Sequence, residues 1–308
     1  MHILDAAGTA ESLPYSLLVP AVARAAIGLA RGDIDAPERK VVTIDADAVL
    51  LCMPAVAPDI SVTKLITVHG KNARHGLPAI QGEVIVFDTA TGRRLALLDG
   101  PTVTARRTAA MTLLGIETLA PRRPASALLI GTGAQALAHA QALADYFGVR
   151  EFHIAGTSVA RAATFAASLL AALQARDSGV TVQACAGQAL AERALRADVV
   201  IALTTSTVPV IPSMLPDATL AIGVGAFKRH MAEFPPALLH ARDIVVDDVG
   251  GARHEAGDLI QAGVDWAGVR SLGDILSGAA PRPARTPVFK TVGQAAWDLA
   301  AARVAISR

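Results

Sequence analysis

An apolar run that breaks at two glycines constrains the fold of this chain more than any other feature. Residues 127–137 read Ala-Leu-Leu-Ile-Gly-Thr-Gly-Ala-Gln-Ala-Leu, which predicts a buried strand, a tight turn and the start of a helix. In a dinucleotide site, Gly131 would permit the turn, Gly133 would let the backbone approach a pyrophosphate, and Ala136 would allow close packing of helix on strand. The phosphates would lie at the helix N-terminus, where free N–H groups favour negative charge. Glycines after a strand also mark ordinary turns, so this motif by itself is a weak signal. The residues that it would place against a cofactor are Gly131, Thr132, Gly133, Ala134 and Gln135.

The surroundings of the glycine loop strengthen the prediction. Strand candidates alternate with alanine-rich helical segments at residues 128–130, 151–155, 180–184, 198–203, 218–224 and 243–249. Such alternation predicts a parallel sheet with helices on both faces. The glycine loop follows the first of these strands, where a dinucleotide site belongs. We therefore predict a Rossmann-type, doubly wound nucleotide domain over residues 121–285.

The first third of the chain follows a different pattern. A helix is predicted over residues 12–32, with Pro20 in its first turn and Gly32 as its stop. Strand-like segments follow, and residues 84–98 read as a hairpin. A proline-rich linker at residues 281–287 precedes an amphipathic helix that returns to the first domain. The predicted fold class is α/β, with the nucleotide domain inserted into a mixed α+β domain of residues 1–120 plus 286–308.

The composition of the chain indicates where in the cell the protein is located. The chain has 308 residues and 52% hydrophobic content, but no stretch approaches the roughly 20 apolar residues that a spanning helix needs. The N-terminus has no basic run followed by an apolar core, so no secretory signal is visible. Two cysteines, Cys52 and Cys185, are too few for a disulfide framework and fit free thiols in a reducing cytosol. We expect a cytoplasmic protein with no membrane partner.

The net charge and the spacing of the histidines limit the classes of ligand that this protein is expected to bind. The net charge of +1, without a basic stripe, argues against nucleic acid as the main partner. The eight histidines show no ligand spacing, and His254-Glu255 lacks the second histidine of a zinc helix motif, so we predict no metal. Small molecules remain as the expected ligands.

The end of the second nucleotide-domain strand bears on the choice of cofactor. An NAD-preferring site carries an acid about 20 residues after the glycines, whereas a 2′-phosphate needs donors or a cation. Here the strand ends in Gly156, Thr157 and Ser158, with Arg161 one helical turn further on and no carboxylate. Because charge-assisted bonds to phosphate are the stronger ones, this favours NADPH, with NADH possible. A helix N-cap at Thr157 or Ser158 with a solvated Arg161 explains the same residues and is compatible with that role.

Three cationic residues of the first domain form a second chemical signal. Arg39, Lys64 and Arg107 stand among apolar neighbours, where cations are rare unless they are paired or functional. Each of them taken alone is also explained as a snorkelling or surface charge. The spacing of these three residues along the chain does not indicate that they lie in one site.

Eight segments together resemble the ornithine cyclodeaminase and mu-crystallin family, nearly end to end and in the same order. They are 63–69 with Asn72, 76–78, 87–92, 98–100 with 107–110, 131–135, 255–259 and 288–293. The resemblance implies a homodimer whose substrate and dimerisation domain is built from both chain ends. It also implies a substrate carboxylate bound by Arg39, Lys64 and Arg107, with Val292 and Gly293 lining the pocket. The cofactor residues that it adds are Thr108, Thr204, Thr205, Ser206 and Thr291.

Two departures from the family pattern distinguish among its members. Cyclodeaminases carry an aspartate where this chain has Phe227, and a glutamate where it has Leu51. Expulsion of ammonia and ring closure need carboxylates for proton transfer, so this chemistry is not expected here. The pattern is most similar to the family's NAD(P)H-dependent reductases of cyclic ketimine carboxylates, which convert Δ1-pyrroline-2-carboxylate to L-proline and Δ1-piperideine-2-carboxylate to L-pipecolate.

The resemblance assigns roles for that reaction. Hydride would reduce C2 of a protonated ring imine while Arg39, Lys64 and Arg107 hold its carboxylate, and Phe227 would give the ring an apolar wall. Lys64 and His69 are the candidate catalytic residues, although a hydrogen-bonded structural histidine explains His69 equally well. Three alternatives stay open: an amino-acid dehydrogenase of the alanine type, an ornithine cyclodeaminase, and a non-catalytic NADPH-dependent binding protein.

Overall fold

The structure is a computed structural model that describes residues 1–307 and divides into two units. Unit 1 comprises Met1–Met111 with Gly293–Arg308, of which residue 308 lies outside the described part, and unit 2 comprises Thr112–Val292. The predicted boundaries are 120/121 and 285/286. The second one falls too early because residues 288–290 form a strand within the sheet of unit 2.

The helices and strands are numbered in chain order. The strands are β1 His2–Leu4, β2 Lys40–Asp45, β3 Ala48–Val56, β4 Ile60–His69, β5 Ile80–Asp88, β6 Arg94–Asp99, β7 Ser126–Ile130, β8 Glu151–Ala155, β9 Thr181–Cys185, β10 Val199–Ala202, β11 Leu220–Gly223, β12 Ile244–Val246, β13 Arg270–Ser271 and β14 Val288–Lys290. The helices are α1 Ala6–Ser12, α2 Tyr15–Arg31, α3 Gly100–Leu119, α4 Ala134–Phe147, α5 Val159–Gln174, α6 Gln188–Ala194, α7 Pro236–Ala241, α8 Val249–Glu255, α9 Gly257–Ala262, α10 Leu272–Ser277 and α11 Ala295–Ile306.

Unit 1 is built on a six-stranded sheet in the order β1-β6-β5-β4-β3-β2. The pairs from β2 to β6 are antiparallel, with β5 and β6 forming the predicted hairpin, and β1 adds a parallel edge. Helix α11 packs against α2 and against β3 and β4. The side chains of β4 alternate, so Lys64 and Ile66 are buried while Leu65 is exposed.

Two helix predictions in unit 1 need correction. Helix α2 begins at Tyr15 after an N-cap at Pro14, so Pro20 lies inside the helix and not in its first turn, while Gly32 ends it in the left-handed conformation as predicted. Helix α11 is not amphipathic: its residues are buried on every side, apart from Arg303 and Ile306, which are half-buried. Alanines let it fit between its neighbours, and Trp297 is fully buried.

Unit 2 contains an eight-stranded parallel sheet in the order β13-β12-β14-β11-β10-β7-β8-β9. From β7 the chain first moves outward through β8 and β9 and then returns to β10 on the other side, which puts a topological switch point between β7 and β10. Ligands of such sheets bind at the carboxyl ends of the strands beside this point. The predicted α/β fold with a Rossmann-type sheet is confirmed.

The helices of residues 1–307 also bear on membrane spanning. None of them is, as a single helix, both long and apolar enough to cross a bilayer. The pair Ala6–Ser12 and Tyr15–Arg31, bent by 76°, meets that requirement by length and composition alone.

Candidate active site

The structure brings together two of the three predicted cations of unit 1 around a buried carboxylate that sequence reasoning missed. Lys64 on β4 is 1% exposed and Asp298 on α11 is fully buried. The Lys64 Nζ lies 2.8 Å from Oδ2 and 3.1 Å from Oδ1 of Asp298. The Arg107 Nε on α3 lies 3.2 Å from the same Oδ1. The carboxylate therefore fixes an ammonium and a guanidinium side by side.

Gly293 connects the third cation to this cluster. Arg39 is half-buried and its Nη2 donates to the Gly293 carbonyl over 2.7 Å. Gly293 has a φ of +85°, and a Cβ there would lie 2.8 Å from Arg107 Nη1. Only glycine combines that backbone conformation with such a close guanidinium. Arg39, Lys64, Arg107 and Asp298, called here the cation cluster, carry a net charge of +2 when all four are ionised.

Burial has an electrostatic consequence at Lys64. Desolvation is the main cause that lowers the pKa of Lys64 to about 8; the neighbouring charges of Arg107 and Arg39 act in the same direction, and Asp298 opposes them. A buried group of net positive charge gains from an anion that supplies the missing negative charge. The cation cluster is thus suited to a carboxylate ligand.

His69 does not join the cation cluster. It lies five residues after Lys64 on β4, whose pairing with β3 and β5 is regular between these positions. Because side chains alternate along a strand, an odd separation places them on opposite faces, about 16 Å apart along the strand. Within this chain His69 therefore lies apart from the cation cluster, and its catalytic role stays a prediction.

In unit 2, the glycine loop follows β7 at the switch point. Gly131 has a φ of +131°, and a Cβ there would lie 2.6 Å from the Leu203 carbonyl at the end of β10. Gly133 is the N-cap of α4 without a side-chain hydrogen bond, and a Cβ added to it would meet no atom within 4 Å. Thr132, Ala134 and Gln135 complete the loop, and the buried Gln135 Oε1 has no hydrogen-bond partner among the described residues. An uncapped helix start beside open space and an unpaired acceptor fit a dinucleotide.

The loop after β8 carries the residues predicted to choose the cofactor. Ser158 caps α5 by accepting from the Arg161 backbone N–H over 3.2 Å, as the N-cap interpretation predicts. Thr157, Ser158 and Arg161 are exposed. An open hollow of about 440 Å³ is lined by Thr132, Arg161, Thr164 and Phe165, among others. The guanidinium thus borders space next to the glycine loop.

A second buried carboxylate organises the loops after β10 and β11. Glu233 Oε1 accepts from Thr204 N at 2.7 Å and Thr204 Oγ1 at 3.0 Å, and Oε2 accepts from Gly225 N at 2.8 Å and Ala226 N at 3.0 Å. Burial raises the pKa of Glu233, while the Lys290 ammonium and the N–H groups of Thr204 and Ala226 lower it. Ser206 donates its backbone N–H to Thr204 Oγ1, Thr205 is exposed, and Phe227 is half-buried beside Lys228.

The remaining predicted residues lie near the end of β14 and on α3. The Thr291 hydroxyl donates to Asp247 Oδ2 over 2.6 Å, and the Val292 backbone N–H donates to Oδ1 over 3.1 Å. Thr108 follows Arg107 on α3 and is 8% exposed. Sequence reasoning missed Asp247, Glu233 and Asp298. Asp298 and Glu233 each had a visible signal, an acid within a run of apolar residues.

Comparison with known proteins identifies the family. The profile of the ornithine cyclodeaminase/mu-crystallin family matches residues 2–308. This chain belongs to that family.

Relatives within the ornithine cyclodeaminase/mu-crystallin family include a Δ1-pyrroline-2-carboxylate/Δ1-piperideine-2-carboxylate reductase of Azospirillum brasilense. It is 45% identical over 303 residues, which cover 98% of this chain and 94% of the relative. Among solved structures, a Thermococcus litoralis Δ1-pyrroline-2-carboxylate reductase in complex with NADH and L-proline has a TM-score of 0.89 at 23% identity, covering 100% and 97% of the two chains. An archaeal alanine dehydrogenase dimer with bound NAD has a TM-score of 0.87 at 24% identity, covering 100% and 95%. These two structures show the shared fold.

Within residues 1–307, no group of three or more His, Cys, Asp or Glu residues is arranged to hold a metal ion. The absence of a metal stays a prediction.

Proposed function

We propose that this protein is an NAD(P)H-dependent reductase of cyclic ketimine carboxylates, which converts Δ1-pyrroline-2-carboxylate to L-proline and Δ1-piperideine-2-carboxylate to L-pipecolate. The cation cluster carries this proposal, because it offers a buried positive site to a carboxylate. The 45% identity to the Azospirillum brasilense reductase over almost the whole chain supports the same reaction.

In this mechanism the chain contributes orientation and charge. Arg39, Lys64 and Arg107 hold the substrate carboxylate and fix the position of the adjacent ring carbon. Such positioning supplies on the order of 7–11 kcal/mol when reacting groups are held in register. A bound nicotinamide cofactor supplies the hydride. Val292, Gly293 and Phe227 are proposed to line the substrate.

The proton comes with the substrate in this proposal. Leu51 and Phe227 stand where cyclodeaminases carry carboxylates, and Leu51 is 8% exposed within β3. These side chains can neither accept nor donate a proton. A ring imine that is protonated in solution already carries the proton that the amine product needs. The cation cluster binds only the substrate carboxylate, and the ring nitrogen of the substrate stays protonated.

The proposed cofactor residues form two groups. Thr108, Thr204, Thr205, Ser206 and Thr291 join the glycine loop of Gly131, Thr132, Gly133, Ala134 and Gln135 in holding the dinucleotide. Thr157, Ser158 and Arg161 give the preference for NADPH over NADH, since no carboxylate stands at the end of β8. We expect Arg161→Ala to lower the NADPH-to-NADH ratio of kcat/KM by about tenfold, as loss of one charge-assisted bond predicts. An unchanged ratio would remove Arg161 from this role.

The substitution Lys64→Met tests the reaction itself. The variant is expected to lose reduction of both imines by at least about a hundredfold while it binds NADPH with unchanged affinity, because one buried charge-assisted contact is lost. Lys71→Met is the matched control, since the Lys71 side chain is 59% exposed. Retained turnover in Lys64→Met would contradict the proposal. NADPH oxidation with pyruvate plus ammonia, turnover of ornithine, or NADPH binding without turnover of any imine would favour the alternatives.

A homodimer in the cytoplasm completes the proposal. Helices cover one face of the unit 1 sheet, and the other face exposes Leu65 by 42% and Val42 by 45%. Exposed apolar side chains on a flat sheet are typical of an interface.

Cys52 and Cys185 are free thiols, which fits a reducing compartment. Cell fractionation of the native host tests the location.

A further inference from the structure

Glu233 occupies an unusual position for a residue outside every predicted site. It is fully buried, it follows β11, and its two carboxylate oxygens face different loops. Oε1 accepts from the backbone and the hydroxyl of Thr204, in the loop after β10. Oε2 accepts from the backbone N–H groups of Gly225 and Ala226, in the loop after β11. One side chain therefore bonds to both loops at the carboxyl edge of the sheet.

The surroundings hold this carboxylate firmly. The Glu233 carbonyl accepts from Val210 N and Ile211 N, both over 3.0 Å, and its own N–H lies 3.4 Å from Asp258 Oδ2. Lys290 Nζ lies 3.7 Å from both Glu233 Oε2 and Asp258 Oδ2, and all three side chains are at most 2% exposed. Gly225 touches the backbone of Thr204 so closely that a Cβ would not fit. The two loops thus form one tightly packed body with Glu233 at its centre.

We infer that Glu233 is a positioning residue for the cofactor, because its carboxylate fixes the Thr204–Ser206 loop against the loop of Gly225 and Ala226. This inference rests on the proposed use of Thr204–Ser206 in nucleotide binding. Glu233 acts through Thr204 and has no contact with the reacting atoms in this assignment.

The hydrogen-bond donors around Glu233 predict which of the two loops loses its contact when the carboxylate is replaced by an amide. Glu233→Gln replaces one acceptor oxygen by an NH₂ donor of the same size. If the NH₂ faced Gly225 and Ala226, it would oppose two backbone N–H donors. If it faces Thr204, it opposes one N–H, and the Thr204 hydroxyl can rotate to accept from it. The second orientation is favoured, so the substitution loosens the Thr204 loop and leaves the Gly225–Ala226 contacts intact.

The experiment compares NADPH affinity with imine kinetics in the full-length protein. We expect Glu233→Gln to weaken NADPH binding, measured by nicotinamide fluorescence, by about tenfold to a hundredfold, as one unsatisfied buried donor predicts. The KM for either imine at saturating NADPH should change by less than about threefold. Glu192→Gln, on the exposed surface of unit 2, is the control and should leave both values unchanged.

Two results would overturn the inference. A Glu233→Gln protein with a lower unfolding temperature but wild-type NADPH affinity would show a role in folding alone. An increase in imine KM without a change in NADPH affinity would place the effect on the other loop. Failure of the wild-type protein to bind NADPH would instead contradict the proposed function. If Glu233→Gln does not fold, Thr204→Val provides the second test, since it removes the hydroxyl that donates to Glu233 and accepts from the Ser206 backbone N–H, and it should weaken NADPH binding by about threefold to tenfold.

Discussion

At the scale of single residues, Asp298 does the most to hold the cation cluster together. Its carboxylate contacts Lys64 and Arg107 in a fully buried position. We expect Asp298→Asn to lower the free energy of unfolding by about 3–5 kcal/mol, because two buried cations lose their countercharge. Urea unfolding measures this. Asp59→Asn is the control, since Asp59 is 54% exposed in its pair with Arg303 and should cost less than about 1 kcal/mol. Equal effects of the two changes would contradict the role given to Asp298.

Lys64 gives the cation cluster a pH dependence. Burial lowers the pKa of Lys64 to about 8, so its charge is lost above that pH. We expect the affinity for cyclopentanecarboxylate, which does not titrate in this range, to fall by about tenfold between about pH 7 and pH 9.5. Calorimetric titration measures it, and Lys64→Met should bind weakly with a flat profile. A flat wild-type profile would show that Lys64 does not contact the carboxylate.

The same shift affects stability with a definite sign. The folded pKa of about 8 lies below the ordinary value of 10.5, so between these values the unfolded chain binds more protons. The free energy of unfolding contributed by Lys64 therefore rises with pH through that window.

The pairing of Lys64 with Asp298 could not be predicted from the sequence. The two residues are 234 positions apart, and local spacing carries no information on such a contact. By contrast, Lys64 could be identified as a candidate site residue, because a cation among the apolar residues of a strand is rare unless it is paired or functional. Glu233 also stands among apolar residues, but its local sequence does not indicate which loops its carboxylate contacts.

At the scale of elements, α11 shows where periodicity fails. Its alanines are buried on opposite faces, whereas an amphipathic helix would expose one of them. The strands of the hairpin and of the parallel sheet were predictable because alternation and apolar runs mark them. β14 was not, because it directly follows the proline-rich segment 281–287, which was interpreted as a linker.

Substitutions on opposite sides of α11 test its burial. Ala300 and Ala302 project about 200° apart on the helix and both are fully buried. We expect Ala300→Leu and Ala302→Leu each to lower the free energy of unfolding by about 1–3 kcal/mol through overpacking. Chemical denaturation compares the two. Tolerance of either leucine would restore the amphipathic interpretation.

Helices α3 and α4 are joined by a buried histidine. His139 Nδ1 donates to the Gln135 carbonyl over 2.7 Å, which leaves Nε2 to accept from the Thr112 hydroxyl over 2.9 Å. Burial lowers the pKa of His139 from 6.5 to about 4. Between these values the unfolded chain binds more protons, so stability falls as pH drops through the window, by at most about 3 kcal/mol.

The substitution His139→Gln should remove that acid sensitivity. It keeps one donor and one acceptor but cannot be protonated. Urea unfolding at about pH 7 and about pH 4.5 is expected to show a smaller pH difference for the variant than for the wild type. Equal differences would assign the acid sensitivity to other groups.

At the scale of the whole molecule, the exposed face of the unit 1 sheet bears on assembly. Leu65→Lys places a charge in the proposed interface and should shift the protein to monomer in sedimentation experiments, because burial of an unpaired charge opposes association. Leu137→Lys is the matched control on α4, where the leucine is 38% exposed. A wild-type protein that sediments as a monomer would contradict the dimer.

The separation of Lys64 from Asp298 along the chain also matters during translation. A ribosome adds about 5–20 residues per second, so roughly 10 to 50 s pass between the synthesis of the ammonium and that of its countercharge. All of unit 2 emerges within this interval, and the nascent sheet of unit 1 must meanwhile keep a lysine without its partner out of an apolar interior. Unit 1 is thus completed last, after unit 2 has had time to fold.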